Sequence, residues 1–465
     1  MPPNINLTTA SIAINRFGLG MRPDETIPQD ARNWLRIQFK QYQALPSAWA
    51  NQRKGQDIVA DLAINKMQIN QADDAQKSLA KRFIKQEIRD DYIAAVNFRA
   101  ASALETNTPF IERLVHFWSN HFAISAQKPG VIELAGAFEL EAIRPYVLGN
   151  FKDMLLAVET HPAMLIYLDQ VKSTGPNSAL GLKSAKHHPD KLRGLNENLA
   201  REILELHTLG VRSGYSQTDV TEFARALTGW SIAGDNANKQ PIIEGANGYA
   251  YRPQLHEPGH RTILGKQYSQ AENAQAQAIL QDLATNPATA KHIATKLARH
   301  FVSDNPPDNL INQLAQAFIN GNGELSHVYQ TLIDAPEAWQ MPSVKFKTPW
   351  EWLISALRGL KAQTNNRFNI AQLLNQLGQP TWKPGSPAGY DDIAASWAAP
   401  NALLRRVEFA QRLASTYTHQ EDARNLIVKL LLGTASQETI NSISRAESAS
   451  TGLALLLVSP EFLRR

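Results

Sequence analysis

The chain has 465 residues, 43% of them hydrophobic, enough apolar material for one large core or two ordinary ones. Lys and Arg total 47 against 43 Asp and Glu, a formal charge of +4, and no Lys/Arg run is interleaved with aromatics, so a nucleic-acid role has no support. There is no cysteine, which rules out disulfides and thiolate metal sites, and no apolar run reaches the ~18 residues of a membrane span.

The opening Met1-Pro-Pro-Asn-Ile-Asn has neither a basic n-region nor an apolar h-region, so no secretory signal is read there. Residues 9–40 predict a short helix, a turn at Gly18 and Gly20, and a second helix. From Asp73 to Glu105 the pattern is long, charged and 3.6-periodic, with Phe83, Ile88, Tyr92, Val96 and Phe98 among its apolar positions. Thr108 is placed to cap the next helix, with Pro109 at its first position, and that helix carries Phe110 to His121. Two more helices are expected over 134–146 and 150–168, followed by a Ser/Gly/Pro/Lys/His-rich loop at 172–192. Asn196 caps a strong run to Leu209 that Gly210 ends, and Thr218 or Asp219 caps another reaching Trp230.

Residues 231–268 change character. Gly, Asn, Pro and Tyr dominate, and the β-prone pieces Ile242–Ile243, Tyr249–Tyr251 and Thr262–Leu264 predict an extended insert with one small hairpin. Helical periodicity resumes at Gln270, broken by Pro306-Pro307, by Pro342 to Pro349 and by the Pro/Gly/Trp loop from Gln379 to Pro400. No fixed-period repeat and no clean linker is visible. The expected fold class is all-α: one large multi-helix domain over 1–465 with a small extended or β insert.

Several segments resemble the signature blocks of a bacterial domain-of-unknown-function family, the one numbered 1800. They are Phe117-Trp-Ser-Asn-His-Phe122, Asn196 to Gly210, Ala226-Leu-Thr-Gly-Trp230, His256 to Gly265, Lys345-Phe-Lys-Thr-Pro349, Ser386-Pro-Ala-Gly-Tyr390 and Ser459-Pro-Glu-Phe462. The blocks occur in family order along nearly the whole chain. Departures are small: His256-Glu257 stands where the family has His-Asp, Arg261 where it has Lys, and Leu195 where it has Pro. The resemblance implies a fold and an export context but no reaction. It also implies a companion protein similar to alkaline phosphatases and sulfatases that carries a twin-arginine signal.

The helix from Asn196 is the most informative stretch. At 100° per residue, Glu197, Asn198, Arg201, Glu202 and Glu205 share one face, with Leu199, Ala200, Ile203, Leu204 and Leu206 opposite. One reading is an i,i+4 ladder of Glu197, Arg201 and Glu205; the other is a strip of Asn198, Glu202 and Glu205 that binds a metal or shares a proton. His207 falls among the apolar positions and reads as a core histidine. His121 shares a stripe with Leu114 and Phe117 and needs a partner, which Glu202 or Glu205 would supply directly or through a metal; His116, about 140° away, is not paired with it.

The string His256-Glu-Pro-Gly-His260 matches the zinc-protease motif in letters only, because Pro258 and Gly259 forbid the helix that motif requires. It reads as a loop metal or anion site using His256, or as a tight turn at Gly259 with Arg261 solvated. Of the tryptophans, Trp382 and Trp397 in the Pro/Gly-rich loop are the candidates for exposure. No phosphate loop and no Gly-x-Ser-x-Gly elbow exists.

Two functional expectations follow. The first is an enzyme with a polar pocket: Glu202, Glu205 and Arg201 catalytic, His121 and His256 ligating a divalent metal (zinc, iron or manganese), and Glu197, Asn198 and Trp118 lining it. The second is a non-catalytic partner or carrier of the co-exported companion. Periplasm by co-export and cytoplasm are both open.

Overall fold

The computed structural model describes residues 7–187, 194–234, 242–362, 369–417 and 422–465. It is 64% helical and 4% strand, which makes the protein all-α with a small β insert. No described helix is long and apolar enough to cross a membrane.

Helix ends follow local chemistry. Asp73 caps the longest helix, Asp74–Glu105, by accepting from the Gln76 N–H at 2.8 Å, and Gln76 closes the box in return. Pro109 opens the Pro109–His121 helix as expected, but the Thr108 side chain makes no cap bond and faces Thr106 instead. Ser216, not Thr218 or Asp219, caps Gln217–Leu227, with Asp219 as the reciprocal partner. The expected helix over 150–168 is broken at His161-Pro162 into Phe151–Thr160 and Pro162–Tyr167, since a proline cannot continue the hydrogen-bond ladder. Within the expected loop at 172–192, Ala179–His187 is helical; residues 188–193 lie outside the described ones.

Among the described residues three π turns interrupt the α pattern: Ile12–Phe17, Glu139–Ile143 and Ile203–His207. The third corrects the helical wheel drawn from Asn196. Only Asn198–Glu202 is α-helical, and beyond it the wider i→i+5 turn displaces every later side chain from its 100° position.

The insert is richer than one hairpin. Strands β1 (Trp230–Ile232), β2 (Ile243–Glu244) and β3 (Tyr249–Tyr251) form an antiparallel sheet in the order β1-β3-β2. Strands β4 (Arg261–Ile263) and β5 (Lys266–Tyr268) form a hairpin whose two-residue turn, Leu264-Gly265, has φ of 50° and 77°, the pairing a type I′ turn demands. Residues 235–241 lie outside the described ones. β4 packs on Gln217–Leu227, β1 on Pro162–Tyr167, and the turn 246–248 on the Gly55–Gln71 helix.

One hydrophobic cluster runs from Ile12 to Leu463. Its centre is aromatic: Phe17 lies 5.6 Å from Phe110, 5.7 Å from Phe301 and 5.1 Å from Trp339. The Pro109–His121 helix passes through this centre and is buried on nearly all sides. Its charged members are therefore paired. Glu112 receives both terminal amino groups of Arg144, at 2.9 and 2.8 Å, with both side chains 1% exposed. Arg113 pairs with Glu351.

Candidate functional site

A cavity of about 300 Å³ opens beside this helix. One wall is the C-terminal half of Pro109–His121, with His116, Phe117, Asn120 and His121. A second is the Pro287–Phe301 helix, with Lys296, Arg299 and His300. The start of Pro349–Gly359 contributes Thr348, Trp350 and Glu351. The loop from Gln379 to Ile393 closes it, and Arg99 reaches in from Asp74–Glu105.

The loop is held by backbone chemistry. Asn120 donates from Nδ2 to the Tyr390 carbonyl at 2.9 Å and accepts from the Tyr390 N–H at 2.8 Å. Gly389 makes that approach feasible: its φ is +82°, and a Cβ there would stand 2.3 Å from the Asn120 carbonyl oxygen. Trp382 and Trp397, the candidates for exposure, are instead buried, at 6% and 8%. Trp382 gives its indole N–H to Glu139 at 3.0 Å, a partner outside the loop that composition alone does not reveal.

His300 and Asp392 form the best-defined pair in the cavity. His300 Nδ1 lies 2.6 Å from Asp392 Oδ2, while His300 Nε2 is buried and has no hydrogen-bond partner among the described residues. Burial pulls the imidazole below its ordinary range, against the pull of Asp392. Burial also works against the Asp392 carboxylate, but His300, Lys345 and Arg465 outweigh it and hold the group well below the usual range. Lys345 Nζ stands 3.0 Å from Asp392 and 2.8 Å from Asp304. Glu351 is held down in the same way by Arg465, at 2.9 Å, and by Arg113.

One turn before His300, Lys296 lines the cavity with no hydrogen bond or ion pair among the described residues, and burial lowers its amine to about 8. One turn further back, His292 turns away and meets the Leu206 carbonyl at 3.1 Å. The i,i+4 series His292, Lys296, His300 was present in the sequence as a polar stripe on an amphipathic helix, and reading it would have led to this wall.

The residues singled out from sequence separate into three places. His121 does line the cavity, but its Nε2 lies 3.2 Å from the His207 carbonyl and no bond joins it to Glu202 or Glu205. Its Nδ1 is unpartnered, and burial holds the ring well below its ordinary range. Trp118 sits deeper, giving its N–H to the Tyr329 hydroxyl at 2.6 Å, and does not line the cavity.

The polar strip is a second place. Glu197 accepts from Thr221 at 2.6 Å, Gln217 at 2.8 Å and Arg201 at 3.1 Å; the Thr221 bond is the main reason its carboxyl titrates low. Asn198 is exposed, with its N–H on the Asn196 side chain at 2.9 Å. Glu205 accepts from Tyr215 at 3.0 Å. Glu202 is half-buried with no hydrogen bond among the described residues, and burial raises its carboxyl. Beneath it His207 is fully buried, as a core histidine, with Nδ1 2.7 Å from Glu159.

His256 is the third place. Its Nδ1 bonds the Thr228 carbonyl at 3.0 Å. The neighbouring Glu257 is buried and accepts from the Asn177 backbone at 2.7 Å and side chain at 2.6 Å. Arg261 is buried, not solvated: it closes the turn on the carbonyls of Glu257 and Pro258 at 2.8 and 2.7 Å. Among the described residues no three His, Cys, Asp or Glu side chains gather as a metal ion would require.

No curated protein and no solved structure matches this chain. A family model does, across residues 12–464, under the description protein of unknown function (DUF1800). Spanning nearly the whole length, the match shows that the chain belongs to this family.

Proposed function

We propose that the protein is an enzyme that works by general acid–base chemistry in the cavity, with His300 as the base and Asp392 as the residue that positions it. The observation that carries this is the 2.6 Å His300–Asp392 contact beside a buried Nε2 that has no partner of its own. With Asp392 ionised, His300 keeps its proton on Nδ1, which leaves Nε2 as the acceptor nitrogen of a ring in the cavity wall. That nitrogen takes a proton from a bound hydroxyl or water and returns it to a leaving group; Asp392 stabilises the imidazolium in between. Such a base is worth about 10²–10⁴ in rate. The expected metal role of His121 and His256 draws no support from geometry, since the two residues occupy different places and His256 spends its Nδ1 on a carbonyl.

The test is a turnover screen over small esters, phosphomonoesters and lactones with wild type, His300→Gln and Asp392→Asn. A substrate turned over by wild type should lose at least about 10² in rate in both variants. Equal turnover by His300→Gln would end the proposal.

A second reading, as a partner for a companion protein, is favoured by one observation. The hairpin of Gly55–Gln71 and Asp74–Glu105 leaves Met67, Leu79 and Phe83 exposed at 54%, 56% and 67%. Only the family resemblance says that the companion is phosphatase- or sulfatase-like. Co-purification from cells that make both proteins, lost in Phe83→Asp, would support this reading; no co-purification would remove it.

A further inference from the structure

We infer that the cavity is built to hold a small molecule bearing an oxyanion, a carboxylate or phosphate, between Arg99, Lys296 and Arg299. This names the substrate class of the acid–base site and so rests on that reading, but its test reads binding, not turnover.

Three acids line the cavity, and the two inner ones are already neutralised. Glu351 is paired with Arg113 and Arg465, and Asp392 with His300 and Lys345. The third, Asp391, is exposed and accepts from Ser396 at 2.7 Å. The cations keep N–H donors to spare, even where, as at Arg99, an acid balances the charge. Arg99 spends Nε on Glu139, at 2.8 and 3.1 Å, and its terminal amino groups bond no acceptor among the described residues. Its side chain is only 9% exposed, and its guanidinium carbon lies 4.2 Å from the Trp350 ring and 5.6 Å from that of Trp382. Among the described residues Lys296 has no acceptor, and Arg299 has only the Asp304 carbonyl, 3.3 Å from its Nε.

A guanidinium fork shielded beside two indoles, whose terminal amino groups lack an acceptor, carries the desolvation cost of a buried donor without the full return. An oxyanion supplies the missing acceptors, and charge-assisted bonds of this kind are roughly twice as strong as neutral ones. The polar wall formed by His116, His121 and His300 adds no anion to compete with it. Phosphate and carboxylate share the needed geometry, and the titration below separates them.

Inorganic phosphate, pyrophosphate and citrate are titrated into the full chain by calorimetry, at ionic strength held constant with sodium chloride. At least one should saturate at one site per chain, with Trp350 and Trp382 fluorescence changing in parallel. Lys296→Met and Arg299→Gln should each weaken it about tenfold or more. Arg99→Ala would strand Glu139 and risk the fold, so Arg99→Lys is used: it keeps the charge beside Glu139 but loses the fork. Affinity should decline as pH rises above about 8, where Lys296 loses its proton. His300→Gln should bind as wild type does, so a failed base and a failed clamp are told apart. No saturable binding of any of the three anions, or binding untouched by Lys296→Met and Arg299→Gln, overturns the inference.

Discussion

The indole N–H of Trp350 meets Nδ1 of His116 at 3.2 Å, and this bond decides which imidazole nitrogen carries the proton. Nδ1 must accept, so the hydrogen sits on Nε2, which is buried and 3.6 Å from Glu112. Burial, helped by Arg99, lowers the ring from 6.5 to about 4. His116 should therefore appear as the neutral Nε2–H tautomer in ¹⁵N spectra at pH 6. The unfolded chain binds this proton first, so the stability linked to His116 is present above about 6.5 and is lost as pH falls towards about 4. A positively charged His116 at pH 6 would contradict the assignment.

For any substrate the cavity turns over, kcat/KM should rise with pH along a single limb that ends below 6.5, because burial depresses His300. Asp392→Asn should lower the plateau of that limb rather than merely move it, since an amide in place of the carboxylate no longer enforces the Nδ1–H tautomer. A limb centred above 6.5 would remove His300 from the reaction.

Arg144→Ala should cost about 3–5 kcal/mol of unfolding free energy, because it strands Glu112 in the core without its bidentate partner. Urea denaturation measures this directly. Replacing the pair together with Glu112→Gln should recover part of the loss, as the buried charge then disappears with its partner.

In the insert, the prediction separates neighbours. Glu257→Ala should destabilise the protein by about 1–3 kcal/mol and speed amide exchange around Asn177, whose N–H it holds. His256→Ala loses its Nδ1 contacts with the Thr228 carbonyl and hydroxyl and should cost about 1 kcal/mol. Equal effects would mean that the turn is held by something other than Glu257.

Much of the helical frame was legible because helices announce themselves through spacing and caps. The Asp73 box, Pro109 and the apolar stripe of Leu114 and Phe117 all act within one or two turns. His207 was legible for the same reason, as a histidine among leucines. The grouping of His121 with Glu202 and Glu205 was not: it needed the contact between two separate helices, and for Glu205 the wheel assumed 3.6 residues per turn where Ile203–His207 winds as a π turn. No short-range pattern signals that change. Trp382 reads as a loop residue until Glu139 is brought beside it, 243 positions away. The acid–base pair was out of reach for a similar reason: His300 and Asp392 are 92 positions apart, and only tertiary packing joins a helix end to a proline-rich loop.

Arg465 gives this site a schedule. Its side chain is fully buried, donates to the His300 carbonyl at 2.6 Å and pairs with Glu351. Its N–H bonds the Lys345 carbonyl at 2.9 Å. During synthesis, then, helix 109–121 and helix 287–301 can already be packed while Glu351 still waits for one of its two guanidinium partners. A ribosome must deliver position 465 before the cavity acquires its final charge balance. Shortened chains should thus keep most of their helical spectrum and lose the pocket first, so inactivity and misfolding need not coincide in truncation products.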